Sequence, residues 1–367
     1  MAEPLKNLYS PSFFNHLGDL LVGLIPDFSK DTFIQDIHDS DWEGRELKER
    51  MSHIADVLHR HFPDDYKRSL KIIMNLTQAV PNSLLADHSY EFIFLPDYIE
   101  RYGLDHYSES VAAIESLTPF ITCEFAVRPF ILKYPDRMMP QMEEWALHEN
   151  HHVRRLASEG CRPRLPWAPT LNDFKEDPTS ILPILESLKG DSSEYVRRSV
   201  ANNLNDIAKD HPEVVLDICK RWIGRSRKTD RLVKHACRTL LKRANPEALA
   251  LFGYAEPSGV KISGFEHDKS VKIGESLNFR FTIKHEQSGS MKLRIEYGID
   301  YLKSNGSLNR KIFQLSEMEF KDGKSSAFTR SQSFRNMTTR KHYIGRHRLA
   351  IIVNGKEMAK GEFEVKG

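Results

Sequence analysis

Cysteine is scarce and scattered: the 367 residues hold four, Cys123, Cys161, Cys219 and Cys237, and no CxxC pair. This argues against a disulfide framework or a zinc ribbon, and reads as reduced core thiols of a cytosolic protein. Long apolar runs are missing too. The best candidate, "LLVGLIPDF" after Asp19, is far too short to span a bilayer. "MAEPLKNLYS" has neither a basic region nor an apolar core, so no secretory signal is expected. No GxxxxGK[ST], no GxGxxG after a strand, no HExxH and no GxSxG occurs. Their absence removes the P-loop, dinucleotide, zincin and serine-hydrolase readings. The expected setting is the cytoplasm, on the nucleoid, without a membrane partner.

What is present is ordinary in bulk, with 40% hydrophobic and 28% charged residues, enough for two domains. The net charge of +2 hides an asymmetry. Residues 1–150 carry 13 basic and 25 acidic side chains, and the remainder 40 and 26. A chain acidic in front and basic behind suggests a polyanion for the rear part, although two such parts could simply attract each other.

From Ser10 to about Phe252 apolar residues recur at three and four, as in "DDYKRSLKIIMNLTQAV" and "PEVVLDICKRWIG". Part of this region repeats. "ENHHVRRLASEG", "SSEYVRRSVANN" and "KTDRLVKHACRT" align on Val153, Val196 and Val233, spaced 43 and 37 residues apart. A period near 40 with two helices per unit is the mark of a HEAT-type solenoid, whose second helices line the concave face. Basic residues early in those helices, Arg154, Arg155, Arg197, Arg198, Lys234 and His235, would form a positive stripe there. They could instead pair with acids of adjacent helices. The expected class is mainly α: a HEAT-like solenoid over residues 1–255, followed by a different domain.

That domain, residues 258–367, alternates apolar and polar residues, with turns at "IGES", "EQSGS" and "KSNGS" and a hairpin signal at Asn354-Gly355. About seven strands are expected, as an all-β immunoglobulin-like sandwich without the cysteine and tryptophan pin. It carries 21 basic and 12 acidic residues. "RNMTTRKHYIGRHR" concentrates Arg335, Arg340, Lys341, His342, Arg346, His347 and Arg348 around Tyr343. This reads as a phosphate-contacting surface, or else as a solvated loop.

Two carboxylates stand out. In "HHVRRLASEGCRPRLPW", Val153, Leu156, Ala157 and Gly160 can pack inward while His151, Arg155 and Glu159 fall on one stripe. "SLTPFITCEFAVRPFILKYP" reads as an apolar helix capped at Thr118-Pro119, with Glu124 among Ile121, Phe125 and Phe130 and with Arg128 as its i,i+4 partner. A carboxylate there needs a partner or a wet groove. In a groove that bound DNA an acid would oppose phosphate and so would need a reason, and a reaction with a cationic transition state supplies one. Arg162, Arg164 and Trp167 follow in the loop. Trp167 could pack on a sugar or cationic base through its π face, or anchor the loop beneath Pro166 and Pro169. His148 and His152 are four apart, but spacing places no third metal ligand, so no metal and no cofactor are expected.

"TCEFAVRPF", "HHVRRLASEGCRPRLPW" and the β-tail together resemble the HEAT-repeat alkylpurine DNA glycosylases. The resemblance covers nearly the whole chain and is nearest to the AlkC branch, which carries an immunoglobulin-like C-terminal domain. AlkD-type relatives use an aspartate flanked by two tryptophans; the segment here has Glu124 and no tryptophan. The resemblance implies a monofunctional glycosylase in base excision repair. Its substrates would be cationic alkylated bases in double-stranded DNA, chiefly 3-methyladenine and then 3-methylcytosine, reached in a bent duplex without a flipping pocket. Glu124, Glu159 and Trp167 would then be catalytic. The DNA-binding set would be Arg154, Arg155, Arg162, Arg164, Arg197, Arg198, Lys234 and His235, with Arg340, Lys341, Arg346 and Arg348 in the β-domain. The enzyme would act as a monomer. The alternative is a non-catalytic HEAT scaffold for nucleic acid or protein.

Overall fold

A computed structural model describes residues 4–321, 323–337 and 340–367. Sixteen α-helices precede eight strands among them. The chain forms two compact units. One runs up to Asp210 and includes Trp222–Ala236; the other comprises His211–Arg221 and Cys237–Gly367.

In the first unit, helices α1 (Pro11–Leu24), α2 (Lys30–Ile37), α3 (Leu47–His61) and α4 (Tyr66–Ala79) are followed by α5 (Phe94–Tyr102) and α6 (Tyr107–Leu117). Their starts are written in the sequence. The Ser10 hydroxyl accepts from the Phe13 N–H, Asp65 caps α4, and Glu46 with Glu49 closes a reciprocal box at α3. Next come α7 (Val127–Lys133), α8 (Pro135–Trp145), α9 (His151–Gly160), α10 (Asn172–Glu176), α11 (Leu182–Leu188) and α12 (Glu194–Ile207). Of the remaining helices α14 (Arg227–Ala236) belongs to this unit, whereas α13 (Pro212–Trp222) up to Arg221, α15 (Arg238–Lys242) and α16 (Pro246–Leu251) fall in the second.

The repeat is real in space. Helices α9, α12 and α14 pack in sequence, with Val153, Val196 and Val233 fully buried at equivalent positions. Gly160 permits the close approach of α7 to α9: a Cβ there would lie 2.5 Å from Val127 Cγ1. The first arginine of each Val-Arg-Arg works on the preceding turn. Arg154 donates to the His148 and Glu149 carbonyls and pairs with Asp191 at 2.6 Å, while Arg197 donates to the Asp191 and Ser192 carbonyls.

The expected Glu124 helix is not one. Thr118 closes α6 instead of opening a helix, its hydroxyl donating to the Ile114 carbonyl at 2.6 Å. The chain then turns until Val127, so Glu124 stands on the turn before α7. Nor does Arg128 pair with Glu124. Its buried guanidinium donates to the carbonyls of Gly160, Arg162 and Pro169, fastening the loop after α9 to the turn. Burial pulls its pKa down to about 10, which still leaves it charged near neutrality.

In the second unit β1 (Val260–His267), β3 (Ser276–His285) and β6 (Ser325–Ser333) form one sheet. The other has the order β2 (Ser270–Lys272), β8 (Lys356–Lys366), β7 (Gly345–Val353), β4 (Met291–Leu302) and β5 (Leu308–Phe320). Phe279, Phe281, Ile295, Phe320, Phe334, Ile351 and Phe363 fill the space between, in place of a disulfide pin. Asn354 (φ 45°) and Gly355 (φ 80°) make the tight turn of the β7–β8 hairpin. Thr338 and Thr339 of the basic run lie outside the described residues.

Replacing Arg128 with methionine leaves three carbonyls without their donor. The expected loss is about 3 kcal/mol of stability, read as a lowered Tm, and an unchanged Tm would contradict the clamp.

Candidate active site

Glu124 and Glu159, from a turn and a helix 35 residues apart in sequence, share one guanidinium. Arg155 donates through Nη1 to Glu124 Oε2 at 2.7 Å and to Thr122 Oγ1 at 2.7 Å, and its Nη2 lies 3.4 Å from Glu159 Oε1. The stripe of Arg155 and Glu159 read from the sequence is thus a contact. Arg155 also stacks over the Tyr195 ring, 5.0 Å from its centroid. Burial works against its charge, but Glu124 and Glu159 more than offset this and raise its pKa.

Glu159 is held from every side. Arg162 Nη1 donates to Oε1 at 2.6 Å and the Ser199 hydroxyl to Oε2 at 2.6 Å, leaving Glu159 5% exposed. Arg162 continues to Asp206, and Lys209 reaches the other Asp206 oxygen at 2.9 Å. Glu124 sits at the edge of this network. Among the described residues its Oε1 has no hydrogen-bond partner, so that oxygen remains open.

Both carboxylates line a cavity of about 670 Å³ in the helical unit. Trp167 lines it too, as a residue 62% exposed and with its backbone in the left-handed region (φ 66°). An aromatic residue there is strained, and such strain gathers at functional sites. The loop is pinned by Arg128 and by Lys48, whose ammonium donates to the Trp167 carbonyl at 2.5 Å. The indole is therefore presented outward instead of anchoring the loop.

Residues 99–240 match the family described as "DNA alkylation repair enzyme", and residues 261–367 the C-terminal Ig-like domain of the protein YhaZ. The uncharacterised protein YhaZ of Bacillus subtilis (strain 168) is 42% identical over 366 residues, covering 100% of both chains. A Pseudomonas fluorescens alkylpurine DNA glycosylase, AlkC, bound to DNA containing an abasic site analog, is 37% identical. It superposes with a TM-score of 0.93 over 100% of each chain. The chain belongs to the DNA alkylation repair family, in its AlkC branch.

Within this AlkC-type fold the residues singled out from sequence are distributed unevenly. Glu124, Glu159, Arg155, Arg162 and Trp167 converge on one region. Arg154 and Arg197 are turn clamps, and Arg164 forms a two-pronged pair with Asp210. Arg198 is exposed on α12, and His235 bonds Asn202 at 3.0 Å beside Lys234 on α14. In the β-unit Lys341, Arg346 and Arg348 are exposed, the last two near Glu362, while Arg340 lies over the Tyr301 ring. His148 accepts the Asn150 N–H, and His152 packs edge-on against Tyr195. No helix among the described residues is long and apolar enough to cross a membrane.

Sequence reasoning missed Thr122, Tyr195, Ser199 and Asp206, all in contact with the carboxylate network. A signal for Asp206 existed: "ANNLND" clusters amides and an acid on one helix, and Asn203, Asn205 and Asp206 are all buried. It also missed Asp97 and Glu100, one α-helical turn apart on α5, which line the same cavity. Burial raises Asp97, whose Oδ2 is buried without a partner among the described residues. Burial first and Asp97 second push Glu100 from the ordinary 4.5 to about 7.

A carboxylate raised in this way favours the fold while it is protonated. Its contribution is complete below about pH 4.5 and is lost as pH rises through about 7. Glu100→Gln should therefore stabilise the protein at about pH 8 by up to roughly 3 kcal/mol and change little near pH 4. Denaturant unfolding at the two pH values checks this, and equal stability of variant and wild type at both contradicts a buried, destabilised carboxylate.

Proposed function

We propose that the protein is a monofunctional DNA glycosylase that hydrolyses the N-glycosidic bond of cationic alkylated bases in duplex DNA. 3-Methyladenine is the first substrate and 3-methylcytosine the second, and the setting is base excision repair. The observation that carries this reading is the pair of carboxylates fixed by one arginine at the wall of a cavity. Support comes also from the similarity to AlkC over the whole chain.

Alkylation at a ring nitrogen gives the base a positive charge, so it departs without being protonated. What remains is to stabilise the oxocarbenium-like sugar and to supply water. A fixed carboxylate about 4 Å from the sugar, at an effective dielectric near 20, attracts that charge by roughly 4 kcal/mol, or about three decades of rate. Glu124, with one oxygen open, is the group that would face the cation and hold the water. Glu159 would add negative potential and fix Arg155. Because the base needs no proton donor, it needs no enclosing pocket. The sugar of a bent duplex would come to the carboxylates, with Trp167 packed on deoxyribose or base. No step calls for a lysine nucleophile or a metal.

Methylated DNA incubated with the protein should release 3-methyladenine. Glu124→Gln should lower single-turnover release by about 10³ while DNA affinity holds, since Glu124 lies at the network's edge. Glu159→Gln should reduce release too, with some loss of stability from the disturbed Arg162–Asp206 pairing. Wild-type rates in both variants would remove the mechanism.

The β-unit's exposed Lys341, Arg346 and Arg348 fit a role in holding phosphates. The triple alanine variant should bind DNA more weakly, and its log–log salt slope should shrink by about 0.9 for each contact removed. An unchanged slope would leave this surface without a DNA role.

A further inference from the structure

Hydrolysis of a cationic nucleoside releases a proton. The C1′–N bond breaks and its electron pair goes to the base, cancelling the positive charge. Water then forms the new C1′–O bond and must shed one proton. Glu124 and Glu159 are badly placed to take it: their negative charge is what stabilises the sugar cation, and protonating either would cancel that charge while it is needed.

We propose that Glu100 of α5 accepts this proton, with Asp97 as the neighbour that keeps it receptive. This rests on the glycosylase reading above. Glu100 lines the same cavity as Glu124 and Glu159, and it has no hydrogen bond or ion pair among the described residues. The nearby cations are committed elsewhere. Lys48 on α3 is bonded to the Trp167 carbonyl and lies over the Phe125 ring. Arg101, on Glu100's own helix, grips Asp56 through two bonds of 2.9 Å. Arg128 on α7 is held by its three loop carbonyls. Glu49 on α3 and Arg162 also line the cavity, the latter bound to Glu159 and Asp206.

Burial without a partner, beside the half-buried Asp97, leaves Glu100 titrating at about 7, close to the optimum for a proton acceptor at physiological pH. The cavity is wide enough for the transfer. Its 670 Å³ corresponds to roughly twenty waters at about 30 Å³ each, ample for a hydrogen-bonded chain between sugar and carboxylate. After each turnover the neutral Glu100 returns its proton to solvent.

The test is single-turnover release of 3-methyladenine from methylated DNA between about pH 5.5 and pH 9. The wild-type rate should rise with pH through about 7 and then level. In Glu100→Gln that limb should flatten and the plateau fall by about 10², while affinity for DNA carrying an abasic analog is unchanged. Glu100→Asp, which keeps the carboxylate, should restore part of the rate and a pH-dependent limb. Circular dichroism establishes that both variants are folded. A folded Glu100→Gln variant with the wild-type rate and the wild-type limb overturns the proposal while leaving the glycosylase reading intact. No base release by the wild-type enzyme overturns the glycosylase reading, and this proposal with it.

Discussion

A single guanidinium, that of Arg155, holds two carboxylates together at the wall of one cavity. Left alone, a buried carboxylate and a half-buried one sharing a site would repel each other. Arg155 bonds Glu124 and lies within ion-pair distance of Glu159, and Arg162 and Lys209 extend the balance through Asp206. The group contains three acids and three bases, so its carboxylates are fixed in place at small net cost. Donors and acceptors already in position need not reorganise when a positive charge appears nearby, and this is the main source of electrostatic rate enhancement.

The fold makes that geometry possible. The repeating helices α9 and α12 bury their valines against one another and bring Glu159 and Ser199 to hydrogen-bond distance across the interface. Ser158 and Asn203 extend the network, with the Ser158 hydroxyl bonded to Ser199 and the Asn203 amide donating to the Ser158 carbonyl. Arg128 acts separately from this network. It sews the loop after α9 to the end of that helix, so that a strained Trp167 can be held outward.

The solenoid and the β-sandwich were legible because they are periodic. Val153, Val196 and Val233 mark equivalent helices, and Asn354-Gly355 marks a hairpin whose turn geometry only a few residue pairs accept. The Arg155–Glu159 contact was legible as i,i+4 spacing on one helix. Glu124 stands out in the sequence for a partly mistaken reason. Thr-Pro can open or close a helix, and only packing decides; here Thr118 bonds back to Ile114 and ends one. Asp206, Asp97 and Glu100 escaped notice because acids on amphipathic helices ordinarily face water. Which face a solenoid helix buries depends on neighbours tens of residues away. The first arginines of the repeats, read as one possible phosphate track, turned to their own preceding turns for the same reason.

On the proposed mechanism the cavity recognises positive charge as it develops at the sugar. The most direct measurement compares the affinity of the protein for two DNA duplexes. One carries a neutral tetrahydrofuran abasic analog; the other carries its cationic pyrrolidine counterpart, alike in shape and different in charge. If the carboxylates held by Arg155 act as described, the cationic duplex binds tighter by one to three decades, about 1.4 kcal/mol for each, and the advantage collapses in Glu124→Gln. Equal affinity for the two duplexes would contradict it.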